Sequence, residues 1–192
     1  MFVCRLIGFF RVPSDAGCRP KMPIQQNDVH PLFAILNAIE VDAGVLAYVN
    51  SLGDQGRAQL VDVATNAKER FTPTERARAI FLLGQLRWRP AFDSLRKLLY
   101  DESARVRLST LYALSKIDAP HAVPLLLETI KDLKSGISER GHALRCLSDI
   151  GDEETIKELE TWVKDVKSIE LKRLARNTIM QLSLGLKRLK FD

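Results

Sequence analysis

Arg107-Leu108-Ser109-Thr110-Leu111-Tyr112-Ala113-Leu114-Ser115-Lys116-Ile117-Asp118-Ala119-Pro120 sets the pattern of the chain. Thr110 follows the leading cation by three positions, Leu114 by seven and Ile117 by ten. The same phase recurs in Arg76-Ala79-Leu83-Leu86, Arg140-Ala143-Leu147-Ile150 and Lys172-Ala175-Ile179-Leu182. The four leading cations stand 31, 33 and 32 residues apart. Steps of three and four put the small and aliphatic side chains on one face of a helix. A fixed period of this length marks a stacked solenoid, in which each unit buries its apolar face only against its neighbours.

A second helix follows in phase. Tight turns at Arg87-Trp88-Arg89, Asp118-Ala119 and Gly151-Asp152 close the first helices, and Pro90 and Pro120 stand where the second ones begin. Phe92 and Leu95, Val123 and Leu126, and Ile156 and Leu159 occupy matching positions, with Leu98, Leu99, Ile130, Trp162 and Val163 further on. Upstream, Leu32, Ile35, Leu36 and Ile39 form a short apolar stripe, and Val45, Leu46, Val49 and Leu52 form another that Gly53 ends. Asp54 can cap a third helix running to about Arg70, with Leu60, Val63, Ala64 and Ala67 on one face. Thr72-Pro73-Thr74-Glu75 reads as a capping box with proline at the first helical position.

These stretches, above all Leu114–Leu126 and Leu147-Ser148-Asp149-Ile150-Gly151-Asp152, resemble the short HEAT-like repeats of the phycobilin-lyase type, common in bacterial proteins. The resemblance covers roughly residues 74–183 and, more loosely, 43–73. It implies an all-α fold, a right-handed α-solenoid of antiparallel helix pairs. Residues 1–26 then read as a poorly ordered or extended N-terminal lead, and 27–73 as a helical cap with a degenerate repeat. Residues 74–183 hold three full repeats and a trailing half, and 184–192 a basic C-terminal tail. Met22 offers an alternative natural start.

Composition narrows the class of function. The chain is 46% hydrophobic and 28% charged, as in a folded globular protein. Its net charge of +5 arises in residues 73–192, where 22 basic residues face 17 acidic ones. Cys4, Cys18 and Cys146 lack metal-like spacing and read as reduced thiols, and the expected location is cytoplasmic. Arg5 interrupts the apolar start, which therefore makes a poor signal peptide. No membrane, metal or cofactor is expected as a partner.

The leading cations invite two readings. As a stripe, Arg76, Arg107, Arg140 and Lys172 would track phosphates. Beside Asp101, Asp132 and Asp165, each of which precedes a later rung, they form a structural ladder of ion pairs between repeats. Deoxyhypusine hydroxylase, a HEAT-like family with an iron site, uses adjacent His-Glu pairs. His30, His121 and His142 are followed by Pro31, Ala122 and Ala143, so the sequence holds no such pair. Phosphate-binding glycine loops and a GxSxG elbow are also missing.

In HEAT-like solenoids the second helices line the concave face, and this resemblance places the partner-binding residues. Tyr100, Lys131 and Lys164 share one register, with Lys68 equivalent in the leading repeat. Arg96, Leu127 and Glu160 share another, and Trp88 between two arginines is a further anchor. The rows predict a partly basic groove. The reading is a non-enzymatic protein-interaction scaffold, such as a bacterial immunity or adaptor protein, holding another protein with an acidic surface. The alternative is a nucleic-acid-binding HEAT-like protein using the basic clusters at 76–97 and 171–191, although the acidic run Asp149–Glu160 between them opposes a continuous track.

Overall fold

The computed structural model describes Leu36, residues 43–65 and residues 70–189, with side chains as far as residue 186. Among the described residues the chain forms nine α-helices and no strand. They are α1 (Ala43–Ser51), α2 (Gly53–Thr65), α3 (Pro73–Gln85), α4 (Phe92–Arg96), α5 (Ala104–Ile117), α6 (Ala119–Lys131), α7 (Ile137–Ile150), α8 (Glu153–Asp165) and α9 (Ile169–Leu189). The stripe expected at Leu32–Ile39 and the end of the helix expected to reach Arg70 lie largely outside the described residues.

Two layers result. Helices α3, α5, α7 and α9 pack side by side in chain order, and α2, α4, α6 and α8 form the second row against them. The protein is an all-α solenoid. Short connections turn the chain between rows: Asp118 is at once the last cap of α5 and the first cap of α6. The final helix continues to Leu189, beyond the 183 boundary expected for the trailing half repeat.

The periodic residues explain why the rows adhere. Ala79, Thr110, Ala143 and Ala175, the small residues of the motif, are buried where first helices meet. Leu83, Leu114 and Leu147 lie in the same core. Each such leucine contributes roughly 1.5–3 kcal/mol through burial. The closest approach is at Gly84 in α3, where an added Cβ would lie 2.7 Å from the Cα of Ala113 in α5. Only the missing side chain lets the two backbones come this near.

Local signals fix the helix ends. The Thr72 hydroxyl accepts from the Glu75 amide at 3.3 Å, and the Thr72 amide donates to the Glu75 carboxylate at 2.8 Å. This is the capping box the sequence predicts. At the other end of α3, Arg87 adopts a φ of 49°, while its amide bonds to Gly84 and that of Trp88 to Leu83. That is a Schellman turn with arginine where glycine is usual. The second helix beginning near Pro90 is split into a 3-10 turn at Arg89–Ala91, α4, and a second 3-10 turn at Lys97–Tyr100.

Candidate functional site

The ladder positions the second helices, by a route that differs from the one expected. Arg76 Nε donates to the Ala64 carbonyl at 3.1 Å, and Arg140 Nε to the Ile130 carbonyl at 2.8 Å. Arg107 Nη1 donates to the carbonyls of Asp101 and Glu102, at 2.6 and 2.9 Å. Each acceptor lies at or just beyond the end of the preceding second-layer helix or turn. The last carbonyls there lack helical donors and carry partial negative charge. Three arginines thus cap the ends of three successive second-layer segments.

Two of them also reach forward. Arg76 grips Asp101 with a 2.7 Å contact between Nη2 and Oδ2, and Arg107 Nη2 lies 2.5 Å from Glu139 Oε1. Arg140 instead stacks 5.5 Å from the ring centre of Trp162. The expected pairing of each aspartate with the next rung is therefore corrected. Asp101 gives its carboxylate to Arg76, and Asp132 accepts from the Lys134 amide at 2.9 Å and the Ser135 hydroxyl at 3.0 Å. Asp165 is exposed at the end of α8 and Lys172 is half-buried, and no ion pair joins them among the described residues. A lysine lacks the planar fork that serves two acceptors at once.

Held this way, the second helices enclose a groove of about 1410 Å³ running from the end of α4 across α6 to the start of α8. Leu99, Val123, Pro124, Leu125, Leu127 and Ile150 supply its apolar lining. Of the predicted residues, Tyr100, Leu127 and Lys131 line it. Tyr100 is 76% exposed, whereas Leu127 is only 7% exposed. Arg96 borders a smaller depression beside Tyr100, of about 390 Å³. Glu160 and Lys164 are exposed on α8 and do not line the groove. Trp88 is half-buried against the core beneath Arg57, whose guanidinium carbon lies 4.8 Å from its ring centre, so it is no exposed anchor. Lys68 lies outside the described residues.

The electrostatics correct the expected sign. Asp101, Glu128, Asp132, Glu139, Asp152, Glu154 and Glu158 outnumber Arg107, Lys131 and Lys134 along the lining. Lys131 is itself paired with Glu158. The Tyr100 hydroxyl lies 3.3 Å from Glu128 Oε1, and the Glu128 charge raises the Tyr100 pKa. The Asp132 and Asp152 carboxyls are held below their usual range, chiefly by the backbone amides of Lys134 and Thr155, and stay ionised. The place of these carboxylates in the groove was missed because the chosen registers were Arg96-Leu127-Glu160 and Tyr100-Lys131-Lys164. The helical stripe on α6 runs through Pro124, Glu128 and Lys131, in steps of four and three. Lys131 belongs to this stripe as predicted, and Glu128 stands one position beyond the predicted Leu127.

The basic clusters are partly spent inside the fold. Arg76 and Arg78 are buried, Arg78 donating to the Leu36 carbonyl at 2.9 Å, and Arg89 pairs with Asp118 at 2.8 Å. Arg87, Arg96 and Lys97 remain exposed at one end, and Arg173 and Arg176 on α9.

Comparison with known families fits this geometry. A family model described as HEAT repeats matches residues 60–138, the span from α2 into α7. The chain is a HEAT-like repeat protein. It is also similar to deoxyhypusine hydroxylase of Drosophila pseudoobscura pseudoobscura, with 28% identity over 113 residues, or 58% of this chain. The match spans 37% of that protein's length. The described histidines of this HEAT-like protein are not placed as iron ligands. His121 is exposed and bonds Asp118 at 3.0 Å, and His142 Nε2 is buried without a hydrogen-bond partner. Among the described residues no three His, Cys, Asp or Glu side chains are grouped as metal ligands. None of the described helices is long and apolar enough to cross a membrane.

Proposed function

We propose that this HEAT-like protein is a non-enzymatic interaction scaffold, or adaptor, that holds a partner protein along the groove of its second helices. The groove carries the proposal. At about 1410 Å³ it exceeds the roughly 300–1,000 Å³ of small-molecule pockets. It is open along three consecutive repeats, the form in which solenoids present extended binding surfaces. Apolar side chains form much of the lining and charged ones surround them, as at other protein interfaces.

The test is affinity capture from the native source with the intact chain and with Tyr100→Ala and Pro124→Arg variants. A partner protein retained by the wild type and lost from both variants, with unchanged thermal melting, supports the scaffold. Equal retention by all three contradicts it. A second reading, nucleic-acid binding, rests on exposed Arg87, Arg96 and Lys97 at one end and Arg173 and Arg176 at the other. Oligonucleotide titration at two salt concentrations tests it, since phosphate binding must weaken as salt rises.

A further inference from the structure

We infer that the occupant of the groove is a cationic, arginine- or lysine-rich segment of a partner protein, an inference that rests on the scaffold reading above. The charges that cancel within the fold can be set aside first. Asp101 is neutralised by Arg76, Glu139 by Arg107, Glu158 by Lys131 and Glu154 by Lys157. Three lining carboxylates remain outside any ion pair, although the charge of Lys134 acts on Asp132. By hydrogen bond, Glu128 meets the neutral hydroxyl of Tyr100, Asp132 a backbone amide and a serine hydroxyl, and Asp152 the Thr155 amide and hydroxyl at the start of α8. Hydrogen bonds from neutral groups stabilise these charges without cancelling them.

The exposed ring of Tyr100 stands beside Glu128 at the rim. An aromatic face next to a carboxylate suits a guanidinium or ammonium group, which gains a cation–π contact and an ion pair together. The apolar stem of such a side chain would lie over Leu99 and Leu125. The backbone adds one more acceptor. Pro124 lies inside α6 and has no N–H, so the Pro120 carbonyl loses its usual helical donor, and both residues line the groove. An acidic partner finds no matching row of free cations here, since Lys131 is paired, Lys164 lies outside the lining, and Lys134 stands alone against three unpaired carboxylates.

Fluorescence polarisation of the intact protein with three short labelled peptides tests this: alternating arginine and serine, alternating glutamate and serine, and an uncharged glycine–serine control. The arginine peptide should bind preferentially and weaken as salt rises from about 50 to about 300 mM. Glu128→Lys should weaken it roughly fivefold to tenfold, and Tyr100→Ala by a similar factor. Glu160→Lys, an exposed charge of α8 outside the groove, should leave it unchanged. No binding of the arginine peptide, or equal loss in Glu128→Lys and Glu160→Lys, overturns the cationic occupant. If native-source capture still depends on Tyr100 while the arginine peptide fails, the scaffold stands and only the cationic assignment falls.

Discussion

The guanidinium of Arg76 in α3 closes on the carboxylate of Asp101, the first residue after the second-layer turn of the same repeat, with both side chains almost wholly sealed from water. The same guanidinium donates to the last turn of α2 through Nε. One side chain therefore ties three successive pieces of the solenoid together.

A buried charge left without its partner costs roughly 3–5 kcal/mol. Arg76→Met should destabilise the protein by that order, and Asp101→Asn by less, because its amide still accepts hydrogen bonds. Adding Asp101→Asn to Arg76→Met should recover part of the loss, since no orphan charge remains. Urea unfolding of the four proteins checks the cycle; strictly additive effects would contradict the pairing.

Arg87 offers a gain of stability. Its φ of 49° costs an L-residue roughly 1–2 kcal/mol, and its turn is the position glycine favours. Arg87→Gly should raise stability by about 0.5–1 kcal/mol, after allowing for the greater freedom of glycine in the unfolded chain. The expected rise in Tm is about 1–4 °C. A fall on calorimetry would show that Arg87 makes a contact that outweighs its backbone conformation.

His142 gives the protein an acid-sensitive window. Burial first, and the charge of Arg145 second, lower its pKa to about 4 from the ordinary 6.5. The unfolded chain thus binds a proton more readily than the folded one between these values. Stability is full above about pH 6.5, falls as pH drops, and levels off below about pH 4 with a loss of about 3 kcal/mol. Asp118, Asp132 and Asp152 have lowered pKa values and subtract their own contributions only near and below the ordinary carboxylate range. His142→Leu should flatten the slope of Tm between pH 6.5 and 4 while leaving the lower limb. An unchanged slope would exclude His142 as its source.

The solenoid was legible in the sequence because the buried residues recur in phase: Ala79, Leu83, Thr110, Leu114, Ala143 and Leu147 all lie where the period puts them. The capping box at Thr72 was equally plain. Side-chain partners were not. Asp101 precedes Arg107 in sequence yet turns to Arg76, because packing between the two layers, which no local spacing encodes, decides which cation is nearest. The groove's acidity was hidden for a related reason. On a helix one residue is about 100° of rotation, so choosing Leu127 rather than Glu128 as the facing position replaced a charge with an apolar floor. Trp88 looked like an exposed anchor among arginines, but Arg57, thirty-one residues earlier, covers its ring.

The central claim is that partner binding occurs along the second helices. Site-specific photo-crosslinking tests it most directly, with a photoreactive residue placed at Pro124 in the groove or at Arg145, exposed on the first-layer helix α7. In native-source extract, position 124 should yield a discrete crosslinked partner and position 145 should not. The same partner crosslinked from position 145, with none from position 124, would contradict the account.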